Sequence, residues 1–206
     1  MIQRVVVTVF TLVTALMFPA TASAQRTLWG VTVTFSPIFD TAEFSKELVD
    51  ANELTLEGKT FRIGFARGGA LLSEWSLLFV QRSFNEGGVI DINGRHITND
   101  GAKLTGVEIE KFAIKGNIKD RAVLGIIIAA GIGAVRGTLT ADDGTVVQAN
   151  DKFTFFGSGS GVHPLFRLEF GVGIIAARGL RLRASGGFDY PGYSATIGAT
   201  YFFGDR

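Results

Sequence analysis

Two histidines, His96 and His163, are the only imidazoles in 206 residues, and there is no cysteine. That excludes a disulfide framework, a thiolate metal site, a cysteine nucleophile and a thiol-linked lipid anchor. A metal would need loop carboxylates such as Asp91 or Asp100 beside His96, and Asp91-Ile92-Asn93-Gly94 lacks the remaining spacing of a calcium loop. Asn93-Gly94 instead reads as a tight hairpin turn between 89–92 and 95–97. No Ser–His–acid constellation is visible, so no hydroxyl has a candidate general base. Neither Gly131-Ile132-Gly133 nor the glycine-serine run at 157–161 forms a dinucleotide fingerprint between a strand and a helix. No catalytic residue, metal or cofactor is assigned.

What remains is ionic chemistry on alternate positions. Arg62, Arg82, Arg167, Arg181 and Arg183 recur opposite apolar side chains, as do Glu108, Glu110, Glu169 and Asp189. Five positives against four negatives nearly cancel. The planar guanidinium can bind a carboxylate through two hydrogen bonds, so these residues suit a paired network.

The elements that carry them are strands, because apolar and small or polar residues alternate with period two. The clearest cases set Trp29, Val31, Val33 and Phe35 against Gly30, Thr32, Thr34 and Ser36. Others set Phe166, Leu168, Phe170, Val172 and Ile174 against Arg167, Glu169, Gly171 and Gly173. Eight such segments occur, each near the ~9–11 residues of a tilted membrane strand. The gaps between them alternate in length. Long ones fall near 37–58, 84–103 and 134–164, and short ones near 67–73, 113–119 and 177–179; the short gap at 191–193 breaks the order. Outer-membrane barrels sort their connections in this way, with long external loops and short periplasmic turns.

Alternation alone leaves open which face points inward, since a soluble lipocalin-type barrel has the same period. Volume decides it. Eight strands enclose a space barely wide enough for side chains. The face rich in Gly, Ala, Ser and Thr fits that lumen, and the bulky face must meet lipid. Trp29, Phe35, Trp75, Phe188, Tyr190, Tyr201 and Phe203 lie toward segment ends, where aromatic girdles belong. The charged residues then lie in the lumen, where ions are costly unless paired, and are expected to plug it.

Composition agrees. There are 27 glycines, about 13% against a usual ~7%, and mean hydropathy is +0.30. A formal net charge of +1 gives no support for nucleic-acid binding. Residues 1–24 read as a secretory signal peptide: Arg4, an apolar run at 5–18, Pro19, then small residues Ala22 and Ala24 where a peptidase reads. Cleavage after Ala24 leaves 25–206 as one barrel domain. The apolar run covers about 21 Å as a helix, short of a ~30 Å hydrocarbon core. Residues 41–51 could form a short loop helix, with Phe44 and Leu48 on one side. Asp142-Asp143-Gly144 reads as the tip of a hairpin in the third long loop. Both histidines are placed in external loops.

The last segment runs Thr196-Ile197-Gly198-Ala199-Thr200-Tyr201-Phe202-Phe203. A polar residue, Gly two later, and aromatics three and five beyond it resemble the terminal-strand signal read by the outer-membrane assembly machinery. Gly204-Asp205-Arg206 follow, where that pattern usually stops at the aromatic residue. With the leader and eight segments, the chain resembles the small outer-membrane β-barrel domain family typified by the OmpA membrane anchor and OmpX. The resemblance implies an eight-stranded antiparallel up-and-down transmembrane β-barrel, monomeric, in the bacterial outer membrane. Its partners would be outer-membrane lipids, the assembly machinery and a ligand met by the long loops. With no peptidoglycan-binding segment read after the barrel, a wall-tethering role is not expected. A narrow channel for small solutes or ions and a soluble periplasmic ligand-binding barrel are the competing functions. Some small barrels deacylate lipids through a Ser/His pair, and loop histidines do not suit that role.

Overall fold

The computed structural model describes residues 27–39, 58–69, 72–84, 89–92, 95–99, 101, 103–119, 121–141, 143–148, 162–190 and 192–204. Eight strands close a barrel: β1 (Leu28–Phe39), β2 (Gly58–Gly69), β3 (Leu72–Phe84), β6 (Lys103–Lys119), β7 (Ala122–Arg136), β10 (Val162–Ala177), β11 (Leu180–Asp189) and β12 (Gly192–Phe202). Each pairs antiparallel with its sequence neighbours, and β1 closes against β12, with Val31 opposite Tyr201 and Thr34 opposite Gly198. Closure leaves no barrel edge with unpaired backbone groups, which a strand in lipid could not tolerate.

The register fixes the strand tilt. From Trp29 it runs through Arg67, Trp75, Lys111, Ile128, Leu168, Phe188 and Tyr193, and returns to β1 at Phe39, ten residues above the start. With ~3.3 Å per residue and ~4.8 Å between strands, that offset tilts the strands by about 40°. The same ten residues then rise about 25 Å along the barrel axis, the height of an outer-membrane apolar band.

The connections sort by length. Two-residue links join β2 to β3, β6 to β7 and β10 to β11 at one rim, and the long connections leave the other rim, where only β11 to β12 is tight. The turn expected at 113–119 is shorter than its sequence suggests. β6 continues through it to Lys119, with register shifts between Ile114 and Gly116 and between Asn117 and Lys119. Bulges absorb the extra residues and keep the strand paired. In the β10–β11 turn, Gly179 sits at φ 68°. A Cβ there meets the following carbonyl, so Gly179→Ala should cost about 1 kcal/mol in urea unfolding of the barrel.

Four further strands arise in the long connections: β4 (Val89–Ile92), β5 (Arg95–Asn99), β8 (Thr138–Ala141) and β9 (Val146–Gln148). They form a separate sheet in the order β4-β5-β8-β9. The barrel stays at eight strands. β4 and β5 pair Ile92 with Arg95, the expected turn residues Asn93 and Gly94 lying outside the described residues, and the second hairpin turns through Gly144 at φ 79°. The sheet joins the two hairpins where Ile97 faces Ala141 and Asn99 faces Leu139. His96 lies within β5. The leader with Ala22 and Ala24, and the expected helix at 41–51, lie outside the described residues.

Candidate functional site: a charged lumen in an inside-out barrel

Strand parity decides which side chains enter the lumen. Residues of the bulky set face out: Trp29 is 63% exposed, Phe65 67% and Phe170 69%. Buried residues include Arg62, Arg82, Glu108, Glu110, Arg167, Glu169, Arg181, Arg183 and Asp189, all within the closed wall. A soluble domain would hide the aromatic set and expose the ions. This barrel does the reverse.

Near the loop rim, Arg62 reaches three walls from β2. Its Nε donates to Glu108 at 3.0 Å, Nη2 to Asp189 at 2.5 Å and Nη1 to Ser36 Oγ at 2.9 Å. Asp189 also accepts from Arg82 Nη2 at 2.7 Å, while Arg82 donates to Thr60 at 3.1 Å and to the Tyr190 carbonyl at 2.8 Å. Mid-barrel, Arg183 grips Glu110 fork to fork at 2.5 and 3.0 Å. Arg167 donates to the same carboxylate and lies 3.6 Å from Glu108 and 3.5 Å from Glu169. Glu169 accepts from Ser185, Ser194 and Thr196 at 2.6–2.7 Å. Bidentate and charge-assisted bonds are the strong members of their class, and here they tie strands that are far apart in sequence.

One lumen ion escaped the sequence reading. Glu74 is buried on β3 and accepts from Arg181 and from Ser76 Oγ at 2.8 Å. Glu74 adjoins the gap expected near 67–73, although it shares the parity of Ser76 and Arg82. With it, the lumen holds five arginines and five carboxylates among the described residues. Arg181 also lies 4.9 Å from the centre of the Phe112 ring and 5.4 Å from that of Phe202. Bulky rings therefore do enter this lumen. Gly125 makes the room, because a Cβ there would overlap the Phe112 ring. Buried apolar side chains share the lumen with the ions: Ile38, Leu104, Val135 and Leu165 toward the loop rim, and Phe112, Val123, Ile127 and Phe202 in the half nearer the tight turns.

His163 differs from its expected place. It is not in an external loop but in β10, buried, with Nδ1 2.8 Å from the Pro164 carbonyl and its ring 5.8 Å from Tyr190. The loop-length pattern concealed this, since β10 begins two residues before Pro164. Among the described residues, no group of three metal-ligating side chains occurs.

The aromatic set divides by rim. Trp29, Tyr201 and Phe203 are exposed at the tight-turn rim, with Tyr201 and Phe203 edge to face at 5.7 Å. Trp75 is half-buried beneath Lys111, whose Nζ is 4.8 Å from its ring. Phe35 is exposed. Phe188 and Tyr190 are half-buried in a cluster at the loop rim, where Phe188 also meets Tyr193 at 6.1 Å. Thr196 and Gly198, from the terminal-strand pattern, have lumen roles too: Thr196 bonds Glu169 and Ser36, and Gly198 leaves room for Arg183.

A closed antiparallel barrel with an apolar outer wall and an ionic interior is an up-and-down transmembrane β-barrel. The sequence matches no protein-family model and no curated protein. Among solved structures it is similar to Ail, the attachment invasion locus protein of Yersinia pestis, crystallised with the heparin analogue sucrose octasulfate. The likeness has a TM-score of 0.44 and 13% identity, and covers 87% of this chain and 100% of that one.

Proposed function

We propose that this protein is a non-enzymatic outer-membrane barrel, exported through its leader, that presents a surface-interaction structure on a plugged scaffold. The observation that carries the reading is the sheet β4-β5-β8-β9, built from two different long connections on the same rim. A rigid scaffold with elaborated loops at one end is the usual arrangement for recognition. The terminal-strand pattern of Thr196, Gly198, Tyr201 and Phe203 addresses the chain to the assembly machinery. The resemblance to the OmpA-anchor and OmpX type belongs with this reading, as does a monomeric state. An epitope inserted at Asn93-Gly94 should be labelled by antibody on intact cells. Labelling only after permeabilisation would refute surface presentation.

The lumen network serves this function as a plug, because paired ions packed among apolar side chains leave the column little room for water. A solute channel is the competing reading. Arg183→Glu sets a second carboxylate against Glu110, and should either destabilise the refolded barrel or raise its single-channel conductance in planar bilayers. Unchanged stability together with unchanged conductance would sink the plug.

A further inference from the structure

The barrel wall sorts its charges by sign. Every Asp and Glu of the eight barrel strands (Glu74, Glu108, Glu110, Glu169 and Asp189) is buried in the lumen. The exposed charged side chains of the described barrel strands are basic, and Arg67 and Lys115 lie in the half nearer the tight turns. The outer wall of the described barrel strands therefore complements anions.

Beside Lys115 the wall is notched. On the outer face Gly186, which has no side chain, stands opposite Phe170, and Ala184, which has only a methyl, stands opposite Val172. Where these outward residues are small, a groove of about 580 Å³ runs across β7, β10 and β11. Leu124, Ile126, Phe170, Val172 and Ala184 line it, with Lys115 as the only charged lining residue among those described. Its size falls in the range of small-molecule sites, ~300–1,000 Å³. An apolar trough with one cation matches a ligand with one anionic group and a long apolar tail. In a membrane, that is a phospholipid.

We propose that this groove holds an acyl chain of a phospholipid from the leaflet at the tight-turn rim, with the lipid phosphate against Lys115. The proposal rests on the transmembrane reading and adds a specific lipid site to it. Lys115 supplies the charge and the glycine notch supplies the fit, so head and tail can be tested separately.

The test is native mass spectrometry of the refolded full chain released from micelles doped with phosphatidylglycerol or with diacylglycerol, which lacks the phosphate. The wild type should retain one phosphatidylglycerol. Lys115→Gln should lower that retention roughly fivefold, as expected for one cation at an anionic surface, and leave diacylglycerol unchanged. Ala184→Phe, on the exposed wall, fills the groove and should lower both. Equal retention by all three proteins overturns the site, and so does a Lys115→Gln variant that behaves as wild type. A gel shift between boiled and unboiled samples establishes that each variant is folded. If the wild type shows no such shift, the transmembrane reading itself fails.

Discussion

Glu110→Ala should lower the unfolding free energy of the barrel by about 3–5 kcal/mol, the usual cost of removing one partner from a buried ion pair. Glu110 accepts two bonds from Arg183 and one from Arg167, and all three residues are buried. Without it, two guanidinium groups face each other. Arg167 keeps Glu108 and Glu169 within 3.6 Å, but Arg183 loses its one carboxylate partner among the described residues. Urea titration in lipid vesicles measures the loss. The double variant Glu110→Ala/Arg183→Leu should recover a large part of it, since it removes the stranded charge along with its partner. A loss below about 1 kcal/mol would mean that water already solvates the pair and that the lumen is wet.

Gly131→Val should cost at least about 3 kcal/mol, the upper end of overpacking effects, and can abolish the folded band on a gel. A Cβ at residue 131 would overlap the Val107 carbonyl oxygen on β6 and crowd Glu108, whose Cγ would lie 2.9 Å away. The obstruction is backbone, which no rotamer change relieves. It also displaces the carboxylate that Arg62 holds across the lumen. Gly116→Ala is the control: a Cβ there meets nothing within 4 Å, so the refolded yield should match the wild type. Equal behaviour of the two variants would show that β6 and β7 can separate freely at this point.

Much of this architecture was legible because one physical rule repeats along the chain. A strand between lipid and a narrow lumen must alternate large apolar with small or polar residues, and Trp29–Ser36 and Phe166–Ile174 do so. Where segments were read too short, residues were missed. Glu74 adjoins the gap expected near 67–73 and Phe112 the gap expected near 113–119, and neither is among the residues assigned to the lumen from the sequence. The ambiguity has a cause: a bulge breaks the two-residue period without breaking the strand. His163 was misplaced because Pro164 marked a loop boundary, yet Pro164 lies two residues inside β10.

Local pattern therefore determined the strand count, the direction each side chain points and the charges that must share the lumen. It could not determine their partners. Arg62 meets Asp189 127 positions away, and Arg181 meets Glu74 across 107. Those pairings depend on the ten-residue offset at which β1 closes on β12, which sets the height of every side chain around the barrel. The joining of two loop hairpins into one sheet and the glycine notch beside Lys115 have the same origin. Each brings together residues whose proximity exists only once distant strands are in register, and a period-two pattern contains no information about register between strands.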